Sequence, residues 1–134
     1  MLAPALTALR LSLHVLAATV WVGGQFVVAG MLPTLRTLGP EAPRAIAAAF
    51  ARLSWPAYGI LLLTGIWNVS ANHPSAQTTP WKVVLGVKIG VVVLAGLSAL
   101  LHSRAKSPKG LAVWGALAGM SSVGALVLGV LLAG

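Results

Sequence analysis

Two ionisable side chains lie inside stretches that otherwise read as lipid-embedded helix: His14 in LHVLAATVWVGGQ and Lys88 in WKVVLGVKIG. A polar or charged group in hydrocarbon is costly unless it is satisfied, so each marks a functional site or a partner within the protein. A histidine there can ligate a metal, carry a proton or tie two helices together. The lysine either snorkels on its long stem, is held by backbone carbonyls, or meets a bound anion such as a carboxylate. Four groups share one helical stripe with His14 or stand near it. Arg10, Trp21 and Gln25 each fall within about 40° of His14 on one stripe at 3.6 residues per turn. Asn68 lies near the same membrane face in the second apolar segment.

Metal chemistry is the first to weigh. Copper wants several converging Cys, Met or His ligands; the chain has no cysteine, and Met1, Met31 and Met120 are scattered. His14 and His73 are the histidines expected on one side, a copper pair that a partner or second protomer would have to complete. Haem needs only one or two axial ligands, an apolar slot and cations for its propionates, which His14 with Arg10, Lys82 and Lys88 supplies. Ser-His-Asp catalysis is not supported, because Glu41, the single acid, lies in a connection. Blander roles stand beside these. Arg10 reads first as an interfacial anchor, Trp21 and Trp67 as packing or belt residues and His73 and His102 as solvated groups, while Asn68 is equally interhelical glue or part of a site.

The elements that must position these groups are membrane spans. The 134 residues are 58% hydrophobic and 7% charged, with a mean hydropathy of +0.95, far from the roughly 25% charge of soluble domains. Four apolar segments, 5–33, 44–72, 80–102 and 110–133, are each near or above the roughly 20 residues needed to cross the hydrocarbon as helix. The expected fold is an all-α integral membrane four-helix bundle forming a single domain over 1–134. The first segment reads as a retained helix, not a cleaved signal. Its net charge of +8 concentrates at segment ends, a topology signal that gives no reason to invoke nucleic acid; membrane lipid is the expected partner, with a homo-oligomer or larger membrane complex as further possibilities.

Arg36, Arg44 and Arg52 flank the first connection and Arg104, Lys106 and Lys109 the third, so the positive-inside rule puts both in the cytoplasm and both termini outside. His14 and Lys88 then lie at matched depth, roughly 12–14 Å from the outer face. Thr64, Trp67 and Asn68 approach that face on segment two. A kink is expected near Ser54 to Pro56. In segment four, Ala112, Gly115, Ala116, Gly119 and Ser122 read as a close-packing face, and Gly86 and Gly90 as a second one.

Five stretches in order, His14 to Gly24, Pro33 to Arg36, Phe50 to Ser54, Leu63 to Asn68 and Trp81 to Lys88, resemble the copper-resistance protein D (CopD) family of bacterial membrane proteins. The resemblance implies a multi-pass protein of the bacterial inner membrane involved in copper transport or homeostasis. A histidine in the first helix with a lysine in the third also looks like the HemJ-type protoporphyrinogen oxidases. That likeness implies haem b as cofactor, with His14 and Lys88 as the functional pair, and an enzyme only in the sense of a haem-dependent oxidoreductase. A third reading is a small helical subunit of a larger assembly. The topology has a direct check: single cysteines placed at Ser75 and Ser107 label with an impermeant reagent from opposite sides of the membrane, and labelling from the same side refutes the orientation.

Overall fold

Backbone groups in hydrocarbon must bond within their own segment, and an apolar stretch of this length does so as helix. The computed structural model describes residues 2–134. Its chain is all-α, with four helices long and apolar enough to cross a membrane: Ala5–Thr37, Glu41–Ala71, Thr79–Arg104 and Pro108–Ala133. The chain is therefore a multi-pass membrane protein. The first span is composite: α1 (Ala5–Ala18) passes through a π turn (Thr19–Gly23) into α2 (Gly24–Thr37). It is followed by α3 (Glu41–Ala71), a 3₁₀ turn (Pro74–Ala76), α4 (Thr79–Arg104) and α5 (Pro108–Ala133).

The helices outrun the apolar segments that announce them. The first continues past Pro33 to Thr37, and the second starts at Glu41 in place of residue 44. The connection between them shrinks to Leu38–Pro40, turned by Gly39 at φ 106°, a conformation that glycine adopts without a Cβ penalty. Pro56 lies inside α3 and does not end it; its missing N–H leaves the carbonyl of Arg52 without the usual partner. Side-chain caps start the last two helices, with Thr78 accepting from the Trp81 N–H at 3.4 Å and Ser107 from the Gly110 N–H at 3.0 Å.

The contacts group the chain into two compact units, Met1–Asn72 and His73–Gly134. In the first, the composite helix packs antiparallel to α3 across its short connection. Arg10, His14, Ala17 and Trp21 on one side, and Ser54, Ala57, Leu61, Thr64 and Asn68 on the other, are all half-buried to buried. Their alternating spacing of three and four residues gives the 3.5-residue period that holds two long helices together along one seam. Gly24 lets the Phe50 ring lie where a Cβ would otherwise stand.

In the second unit α4 and α5 form a hairpin with a seam of small residues, Ala95, Ser98, Ala118, Ser121 and Ser122 all being buried. Long α4 side chains lie over α5 glycines: Lys88 over Gly129, Val91 over Gly124 and His102 over Gly115. The expected packing face is therefore rotated. Gly115 and Ser122 belong to it, but Ala112 and Ala116 are exposed and Ala118 takes their place. Gly86 and Gly90 are also exposed, with open space where a Cβ would go, and take no part in the hairpin seam. Large apolar side chains face outward in both units, Leu63 and Ile66 of α3 at 70% and 66% exposure and Val93 and Leu97 of α4 at 50% and 54%, as lipid tolerates and water would not.

Gly24→Ala forces the Phe50 ring to move, and an overpacked seam costs about 1–3 kcal/mol. The variant is expected to melt at lower temperature in mild detergent, with Phe50→Ala in the same chain removing the difference. Unchanged melting of Gly24→Ala shows that the ring yields freely.

Candidate functional site

The first unit holds most of the residues singled out in the sequence. His14 Nδ1 lies 2.7 Å from Thr64 Oγ1, and Thr64 Oγ1 lies 2.6 Å from the Ile60 carbonyl oxygen. A threonine hydroxyl has one proton, and a carbonyl can only accept. The Thr64 proton therefore goes to Ile60, and the bond to His14 runs from Nδ1–H to Oγ1. In the neutral ring this leaves Nε2 as the nitrogen bearing the lone pair. Thr64 is 5% exposed, so the chain of bonds is sheltered. Gly65 adjoins the ring, a Cβ there meeting His14 Cε1 at 3.8 Å. Thr64 belongs to the site although sequence reasoning placed it only by depth; its signal was a hydroxyl on the α3 seam at the level of the histidine.

One turn toward the start of α1 stands Arg10, and one turn toward the end of α3 stands Asn68. Arg10 Nε and Asn68 Oδ1 are buried without a hydrogen-bond partner. Glu41, the acid of this unit, is at the other end of α3, exposed and 3.4 Å from Arg44.

Trp21 follows by a route the sequence did not announce. A straight α-helix would carry it to the seam at seven residues from His14, but the π turn Thr19–Gly23 widens the helix there. Polar side chains on either side bond back to the helix: Thr19 Oγ1 donates to the Val15 carbonyl at 2.8 Å, which the Thr19 N–H also reaches, and Gln25 Nε2 donates to the Trp21 carbonyl at 2.9 Å. Gln25 is thus a backbone-satisfying residue on the His14 span. Trp21, 4% exposed, packs in a trio with two residues absent from the expected site. Its ring centroid lies 4.6 Å from Tyr58 and 5.4 Å from Trp55, which are themselves 5.9 Å apart. The i, i+3 spacing of Trp55 and Tyr58 on one α3 face was the available signal. Trp67 is exposed, as a belt residue would be.

Lys88 and His73 belong to the second unit. Lys88 is half-buried, its Nζ turned to the backbone of α5 at Gly129, while Lys82 is exposed. His73 is exposed in the connection, in the left-handed region at φ 49°, and its carbonyl accepts from the Ala76 N–H of the 3₁₀ turn at 2.9 Å. His102 has a structural task in place of the solvated one expected: its Nδ1–H donates to the Leu111 carbonyl at 2.8 Å, tying the α4 end to the first turn of α5. Among the described residues no group of three or more His, Cys, Asp or Glu side chains is placed to hold a metal ion.

Gln25→Leu removes the side-chain hydrogen bond to the Trp21 carbonyl, and such a bond contributes about 0.5–1.5 kcal/mol. A lowered melting temperature with weaker near-UV dichroism from the Trp21 cluster is the expected result; Gln25→Glu, which cannot donate when ionised, should behave likewise, and neutrality of both refutes the role. No family model, curated protein or solved structure matches the chain.

Proposed function

We propose that this is a small redox protein of the bacterial inner membrane in which His14 would hold a metalloporphyrin, haem b, through its Nε2. One observation carries the reading: Nδ1–H is committed to Thr64, whose own proton is committed to Ile60. A ligating histidine is held in this way, its second nitrogen donating to a fixed acceptor so that ring orientation and tautomer are set. A single imidazole between apolar helices fits an axial ligand. When bound, haem supplies one-electron chemistry; the chain supplies the ligand atom, its orientation and an apolar surround, with the Trp21, Trp55 and Tyr58 rings on the same helix pair.

A second reading has its own support. The ordered CopD-like stretches favour copper transport or homeostasis at the same membrane, with His14 and His73 among the ligands. A single chain offers too few grouped ligands for copper, so this reading requires a second copy or a partner subunit to complete the site. A small subunit of a larger assembly, with the polar seam as interhelical glue, is the third.

The absorption spectrum and metal content of protein purified in mild detergent separate them. A Soret band is expected, lost in His14→Ala and shifted but kept in Thr64→Val, which leaves the imidazole and removes its acceptor. Stoichiometric copper without a Soret band overturns the haem reading in favour of copper. Neither metal nor porphyrin after reconstitution with both overturns the two together.

A further inference from the structure

Arg10 precedes His14 by four residues, and Asn68 follows Thr64 by four. On antiparallel helices these steps run the same way along the axis, about 6 Å, so the two side chains share one level, a turn from the bonded His14–Thr64 pair. Both carry a buried polar atom without a partner, Nε of Arg10 and Oδ1 of Asn68. Were they each other's partners, both atoms would be satisfied. The guanidinium is a permanent cation, and the single acid of the chain is spent on Arg44 at the far end of α3. A half-buried cation without an anion, level with an amide oxygen without a donor, is a site that lacks its ligand.

We infer that Arg10 and Asn68 form a carboxylate-binding site, and that the ligand held by His14 is gripped there by a free carboxylate. The inference rests on the haem reading for its ligand but not for its chemistry. Arg10 offers Nε–H and an adjacent Nη–H in the fork that matches two carboxylate oxygens. Asn68, turned about its last torsion, presents Nδ2–H where Oδ1 now stands. Exposed Leu6, Leu9, Leu13, Leu63 and Ile66 on the same two helices suit an amphiphile whose carboxylate enters this level from the bilayer. Two membrane-soluble sources share that chemistry, the propionate of a porphyrin and the headgroup of a fatty acid. Esterifying either one removes the charge that the site binds.

The test uses the full chain in an uncharged detergent, with haem b, its dimethyl ester and laurate as probes. Soret titration is expected to show haem b binding wild type on the order of tenfold more tightly than the diester, a charge-assisted bond or more being lost. Arg10→Gln and Asn68→Leu should each weaken haem b, and Arg10→Gln should leave the diester unchanged; two separate variants guard against one that fails to fold. Laurate that competes with haem b on wild type, but not on Arg10→Gln, places lipid carboxylates in the same site. Lack of competition assigns it to the porphyrin. Equal binding of haem b and diester to wild type, with the Soret band present, overturns the carboxylate site and leaves the haem reading standing. If no Soret band forms, the haem reading falls and radiolabelled laurate decides: Arg10-dependent binding upholds the site, and its absence overturns it.

Discussion

A hydroxyl has one proton to give, and the direction in which Thr64 gives its proton orders everything around His14. Donation to Ile60, one turn back on its own helix, makes Thr64 an acceptor toward α1. In water such a bond is one among many and contributes little. In hydrocarbon the imidazole N–H has no solvent alternative, so the same bond fixes tautomer, ring plane and the helix level at which α1 and α3 meet. That register brings Arg10 level with Asn68 and puts Trp21 opposite the Trp55 and Tyr58 pair.

Packing follows a different logic in each unit. The His14 unit combines polar groups with aromatic bulk, Trp21 lying in the seam at a π turn that is flanked by the side-chain bonds of Thr19 and Gln25 back to the helix. The Lys88 unit has a seam of alanine and serine, where attraction comes from close backbone approach and not from expulsion of water. Its long side chains, Lys88 and His102, find room only over glycines. Both solutions leave leucine and isoleucine facing outward, the arrangement that a lipid solvent makes neutral.

Much of the site was legible because its signals are local. His14 stands out as an ionisable residue in an apolar run, and the stripe it shares with Arg10, Trp21 and Gln25 follows from helical period. Trp55, Tyr58 and the structural role of His102 were not legible. An aromatic or a histidine near a span end has the same local pattern whether it meets lipid, water or another helix. The rotated face of α5 was missed for a related reason: alanine, serine and glycine recur all round that helix, so spacing does not choose among faces.

By itself the sequence determined the number of spans, their all-α character and the presence of ionisable groups within them. Hydrophobic length and the cost of unpaired backbone in lipid leave no other solution for such segments. Only the tertiary structure decided which polar atoms are spent and which are not. Thr64 is committed to Ile60 and to His14, Gln25 to the Trp21 carbonyl, while Nε of Arg10 and Oδ1 of Asn68 remain unpaired. Hydrogen bonds depend on ångström distances between residues fifty positions apart, and on which way a single proton points. No periodicity in the sequence encodes that choice; the meeting of α1 with α3 does.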